Sequence, residues 1–280
     1  MPRVAVPERS LIRVTGADAQ GFLHNLITTD VEGLPANEAR PGALLTPQGK
    51  VLFDFMIWRS EPGFTLECDT VHADGLVKRL SMYKLRAAVS VTIEGQGVTV
   101  AWGEDARSAE GVVDAAFRMA GISLVRQAGA EGPDPAALYD ALRIEAALAI
   151  SGRDFALQDA FPHDILFDKD GGVSFRKGCY VGQEVVSRMQ HRGTARRRVV
   201  QVQSETDLPA GGTELTADGK PIGALGTVVG KSALAIVRID RAGDAMARGG
   251  AILAGDVPVH LSLPAWTGLG FPAGSDEAET

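Results

Sequence analysis

The chain has 280 residues, enough to bury a sizeable core and to build two or three modules. It is 45% hydrophobic and 22% charged, an ordinary globular composition, and no stretch reaches the roughly 18 apolar residues of a membrane span. A net charge of −7 argues against direct nucleic-acid binding, and two distant cysteines, Cys68 and Cys179, exclude a disulfide framework.

Thr15 can cap a helix running to about Thr28, with Phe22, Leu23, Leu26 and Ile27 on one apolar stripe. Residues 43–45, the turn Pro47-Gln48-Gly49-Lys50 and residues 51–58 read as strand, turn, strand. A further strand ends at Cys68. Residues 72–86 form a helix with Leu76, Leu80, Tyr83 and Leu85 inward. Val89–Ile93 and Val98–Trp102 flank Glu94-Gly95-Gln96-Gly97 as a hairpin. This stretch, about 41–125, is an α+β module on antiparallel sheet inserted in a first region, 1–195.

Asp134 is a good N-cap for a helix over 135–149, and Gly152 can end it. A strand Val173-Ser174-Phe175 leads through Gly178 and Cys179 into a helix from about Val181 to Met189. Beyond residue 196 short β-like runs alternate with Gly, Asp and Pro, which predicts a small all-β module, a barrel, over 196–270. A loose acidic tail follows over 271–280.

Charge is uneven. Residues 176–198 hold seven cations against Glu184, a local +6 that leaves −13 elsewhere. Such a confined segment suits a local anionic partner or a solvated loop.

Cys179 is the nucleophile candidate. A nearby ammonium, Lys177, and a helix start both favour thiolate, although a small inert cysteine is the commoner case. Glu145 falls within the stripe of Leu138, Leu142 and Ala149, so its carboxylate faces inward toward either a ligand or an internal salt bridge. Asp54 lies on a strand apolar on both faces, which makes it an enclosed site candidate or a structural acceptor. Gly226–Ser232 is one residue short of a phosphate loop and leads into a β-like run. The five histidines show no metal-ligand spacing, so no metal site is expected. The N-terminus lacks the apolar core of a secretory signal, and with so few cysteines a cytoplasmic location is expected.

Residues Gly171 to Glu184, and above all Lys177-Gly-Cys-Tyr-Val-Gly-Gln-Glu184, resemble the signature of the YgfZ family, related to the folate-dependent T-protein of the glycine cleavage system. Leu142–Glu145, Phe22-Leu23 with Thr29-Asp30-Val31, and Gly49-Lys50 through Asp54 fit the same pattern. The resemblance implies a multi-module ring with a folate-sized hole and a C-terminal β-barrel. It implies tetrahydrofolate or a derivative as ligand. It also implies an accessory role in making or repairing iron–sulfur enzymes, tRNA-modifying ones included, with iron–sulfur client or assembly proteins as partners. On that reading Glu145 recognises the pterin. Lys177, Tyr180, Gln183, Arg188 and Arg192 serve the folate or a partner, and Cys179 is the working thiol. The alternative is a tetrahydrofolate-dependent one-carbon transferase with Asp54 as acid–base group. T-proteins usually carry two adjacent aspartates where this chain has Phe53-Asp54, which weighs against that alternative.

Overall fold

A computed structural model describes residues 1–103, 106 and 110–272. The acidic tail expected over 271–280 lies, from residue 273 on, outside the described residues. The chain divides into two compact units. One comprises 1–139, 157–162 and 167–188; the other comprises 140–156, 163–166 and 189–280.

The first unit is built on a closed seven-stranded barrel. Its elements in chain order are β1 (Arg3–Thr15), α1 (Ala19–His24), β2 (Glu38–Leu45), β3 (Val51–Ser60), β4 (Gly63–Asp69), α2 (Thr70–Tyr83), β5 (Ser90–Trp102), β6 (Val112–Asp114), α3 (Ala115–Met119) and β7 (Leu124–Ala128). Strand order around the barrel is β1-β4-β3-β2-β6-β7-β5. One wall packs Ile12, Leu66, Ile57 and Phe55 against Leu23 of α1 and Leu76 and Leu80 of α2. Side chains of opposite parity include buried charges beside apolar Leu11, Met56 and Trp58. Buried Glu67 takes hydrogen bonds from Arg9 at 2.9 Å and from Arg126 at 2.8 and 3.0 Å. Arg126 also donates to Asp114 at 2.6 Å and to the Tyr139 hydroxyl at 2.8 Å. Every charge in this set has an opposite partner, which is what burial requires.

Three expectations change here. The first helix is only Ala19–His24, and Asp18 accepts from the Ala88 amide at 2.7 Å instead of capping it. The hairpin expected at Glu94–Gly97 is a bend within the single strand β5, which pairs with β1 on both sides of register shifts. Gly97 takes a φ of +83° there, a conformation glycine adopts without steric cost. Leu85, expected inward, is exposed, because α2 ends at Tyr83.

Helix α4 (Ala136–Ala146) runs from the first unit into the second. The segment 153–182 is irregular, so the strand expected at 173–175 is a run of bends. Helix α5 follows at Gln183–Arg192.

The second unit carries β8 (Arg197–Gln203), β9 (Glu214–Ala217), β10 (Lys220–Val229), β11 (Ser232–Arg238), α6 (Ile239–Ala247), β12 (Ile252–Ala254), β13 (Val257–Pro258) and β14 (His260–Ser262). The sheet order is β13-β12-β9-β10-β11-β8-β14. Its two end strands are consecutive in the chain, with Val259 alone between them, so the sheet must curl until its ends meet. Val200, Val202, Leu215, Leu225, Ala235 and Val237 fill the resulting core with Ala242 and Ala245 of α6. Among the described residues no helix is long and apolar enough to cross a membrane.

Candidate functional site

Cys179 is exposed and lies in the irregular segment four residues before α5. Backbone and side-chain bonds fix the loop on both sides of it. The Thr28 hydroxyl donates to the Gly172 carbonyl at 2.6 Å, and the Ser174 amide donates to the Thr28 carbonyl at 2.9 Å. The Lys177 ammonium donates to the carbonyls of His24 and Ile27, the latter at 2.7 Å. His24 is the last residue of α1, where a cation is favoured, and Ile27 lies three residues beyond it. Burial pulls Lys177 down to about 8, against the opposing charges of Asp30 and Glu32. The same ammonium sits 5.0 Å from the centre of the Tyr180 ring.

On the C-terminal side Gly182 adopts a φ of +79°. A Cβ there would lie 2.5 Å from the Thr46 carbonyl oxygen and 3.1 Å from Gly49 Cα. Only glycine permits this approach between the loop and the β2–β3 turn. The Pro47–Lys50 turn and the Cys179 segment, read separately in the sequence, are thus one packed structure. The result is a thiol held outward by a braced loop. Cys68 is the opposite case. It is buried in β4, and burial pushes its thiol up to about 12; Arg9 opposes the rise and the charge of Asp54 adds to it.

Tyr180 is buried, and its hydroxyl finds no hydrogen-bond partner among the described residues. Burial raises that hydroxyl to about 12. Gln183 is half-buried at the first position of α5. Arg188 is exposed and paired with Glu184 one turn away at 2.7 Å, while Arg192 is exposed at the end of the helix. Lys177 and Arg188 are therefore engaged within the chain, unlike the free anion-binding cations expected of them. Asp54 lies opposite Ala43 of β2 and is half-buried rather than enclosed.

Glu145 departs most from expectation. Its side chain is exposed, and its backbone carbonyl accepts from the Gln201 side-chain amide at 2.8 Å. The cause is local. The buried face of the helix runs through Tyr139, Leu142, Arg143 and Ala146, spacings of three and four, and Glu145 falls outside it; the helix also ends at Ala146, short of Ala149. Leu138 of the expected stripe is exposed as well. The inward polar residue is Arg143, 1% exposed. It donates to Asp154 at 2.8 Å, Thr227 at 2.8 Å, Asp140 at 3.0 Å and the Leu148 carbonyl at 3.0 Å. The three-residue spacing of Asp140 and Arg143 was the available signal for this pair.

Comparison with known proteins places these features. Residues 196–269 match the family model described as CAF17, C-terminal beta-barrel domain. The mitochondrial iron–sulfur cluster assembly factor IBA57 of Mus musculus is 30% identical over 272 residues, covering 82% of this chain and 75% of that protein. The human IBA57 is 30% identical with the same coverages. The chain belongs to the IBA57 family of iron–sulfur cluster assembly factors. It spans about half of some fungal members, 54% of the homologue from Chaetomium globosum at 30% identity. These relatives are mitochondrial proteins, which overturns the cytoplasmic expectation. Among solved structures the glycine cleavage aminomethyltransferase T of Bartonella henselae superposes with a TM-score of 0.71 at 19% identity, covering 94% of this chain and 85% of that one. The fold is therefore the α+β aminomethyltransferase type with a C-terminal β-barrel.

Proposed function

We propose that this chain serves iron–sulfur cluster assembly as an accessory factor of the YgfZ type, with Cys179 as its working thiol. The observation that carries the reading is the exposed Cys179 on a loop braced by Lys177, Thr28 and Gly182. A protein-held cluster takes about four thiolates. This chain offers one accessible thiol, so any cluster it touches is shared with an assembly or client protein, tRNA-modifying clients included.

The ligand in this reading is tetrahydrofolate or a derivative. The aminomethyltransferase fold supports it, and Glu145, although it faces solvent rather than a core, is kept as the pterin contact to be tested. Lys177 and Arg188 fit a folate tail poorly, because their charges are already engaged, which leaves Arg192 for that part. When bound, the folate supplies one-carbon chemistry, and Glu145 would orient its ring. The fold likeness also supports a rival, a one-carbon transferase using Asp54, and turnover of an aminomethyl donor would favour that rival.

Two measurements test the proposal. Cys179→Ala, introduced in place of the wild-type chain in cells, should lower iron–sulfur enzyme activity while the melting temperature of the purified protein stays unchanged. Wild-type enzyme activity with that variant overturns the thiol assignment. In calorimetry with tetrahydrofolate, Glu145→Gln should weaken binding by about 1–3 kcal/mol, the typical cost of a mispaired group. Equal affinity removes Glu145 from the site.

A further inference from the structure

The end of α2 carries an exposed apolar surface that includes none of the residues assigned to the thiol loop or the proposed folate contact. Leu85 is 88% exposed and Met82, one turn before it, is 61% exposed. Large apolar side chains set outward in this way mark contact surfaces when they cluster. Leu85 also has a φ of +42°, which is costly for a branched side chain. The turn that imposes it is fixed. The Lys84 amide donates to the Leu80 carbonyl at 3.2 Å, and the Lys84 ammonium donates to the Val89 carbonyl at 3.0 Å. Asp18 holds the Ala88 amide at 2.7 Å. Leu85 is thus held in the open by a braced turn, at a conformational cost that its own packing does not offset.

Two further observations define what fits there. Tyr83 and Ala87, flanking Leu85 in the chain, line a groove of about 510 Å³ together with Phe22 and Leu26. Lys78 and Arg79 lie one turn before Met82 on α2 and Arg86 follows Leu85 directly, and among the described residues none of the three has an ion-pair partner. Three unpaired cations on a chain of net charge −7 are complementary to acid, not to this chain's own average surface.

We propose that the α2 end, with Leu85 as anchor, is the docking surface for a partner protein whose contacting face is acidic and apolar. Leu85 enters an apolar socket on the partner, the groove beside Tyr83 receives an apolar side chain in return, and the three cations meet carboxylates at the rim. A buried apolar anchor inside a charged rim is the usual anatomy of a specific interface. The inference does not depend on Cys179. Cys179→Ala should bind this partner as the wild type does, so a failure of either reading leaves the other standing.

The experiment starts with the full chain carrying a photo-crosslinking amino acid at position 85, and a second version carrying it at Glu205 as control. The expected result is a protein adduct specific to position 85, with the crosslink mapped to an acidic segment. That protein is then purified and titrated against three chains. Leu85→Asn should weaken binding about tenfold or more, as loss of an anchor does, and Arg86→Glu should slow association and reduce its salt dependence, as loss of a rim charge does. Leu85→Asn should also hold or raise the melting temperature, since asparagine tolerates positive φ, which separates lost docking from lost folding. Vesicles of phosphatidylglycerol, and a bulk RNA, are tested alongside. Binding to either that depends on Leu85 overturns the proposal. So does an adduct to a second copy of this chain, the absence of any adduct beyond the Glu205 control, or wild-type affinity in Leu85→Asn.

Discussion

Lys177 donates to the Ile27 carbonyl across 150 positions of sequence at 2.7 Å, and so ties the Cys179 loop to the segment that follows α1. The bond gives the lysine a pH signature. Burial lowers its value from 10.5 to about 8. Between those limits the unfolded chain binds a proton that the folded chain has lost, so stability rises with pH across that window. Below about 8 both states are protonated and the cost of holding the buried charge is fully present. In Lys177→Met the melting temperature should lose this rise between pH 8 and 10. Parallel wild-type and variant curves across the window would contradict the assignment.

Gly182 should tolerate no side chain. Its φ of +79° and the 2.5 Å approach to the Thr46 carbonyl make Gly182→Ala strained in two ways. The variant should be destabilised by about 1–3 kcal/mol, the scale of backbone strain. Cys179 alkylation should change in the native state, because the loop must lift from the β2–β3 turn. Cys68 serves as internal reference. It should stay unlabelled until denaturant exposes it, and equal native labelling of the two thiols would refute the contrast drawn between them.

Arg143→Met should be among the most damaging changes in the second unit. Asp154, 2% exposed, loses its guanidinium partner, and the Thr227 hydroxyl and the Leu148 carbonyl lose donors. Breaking a buried pair from one side costs about 3–5 kcal/mol. Urea unfolding of wild type and variant measures it. A difference below about 1 kcal/mol would place the pair with surface salt bridges.

What the sequence made legible followed from what each region buries. The β-rich C-terminal module is regular, with apolar inner positions such as Val200, Val202 and Leu215 between turn residues, and its strands read directly. The N-terminal barrel hid for the opposite reason. Its strands carry Arg9, Glu67 and Arg126 at buried positions, so the usual alternation of apolar and polar residues is broken by charges that only the tertiary fold pairs. The Gly95 and Gly97 positions in β5 read as a turn because a bulge uses the same residues as a hairpin. At the candidate site the Cys179 segment was legible as a motif. The outward position of Glu145 was not, because the buried face of its helix follows Tyr139, Leu142, Arg143 and Ala146 and not the stripe begun by Leu138.

Asp170 offers the last test, and its sign is opposite to that of an ordinary paired carboxylate. It is buried, and burial raises its value well above the usual range. The Gly172 amide, 2.9 Å away, opposes the rise, while the charges of Asp168 and Asp114 add to it. The folded chain therefore keeps a proton that the unfolded chain releases at about 3.9. Between that value and the raised folded one, the unfolded chain binds fewer protons than the folded chain, so stability falls as pH rises. Asp170→Asn carries the same shape with no proton to lose, and its side-chain oxygen can still accept from Gly172. The variant should match the wild type near pH 4 and exceed it increasingly toward pH 8, read as melting temperature at each pH. A wild type that gains on the variant as pH rises would mean that Asp170 is ionised in the fold and paired with a cation.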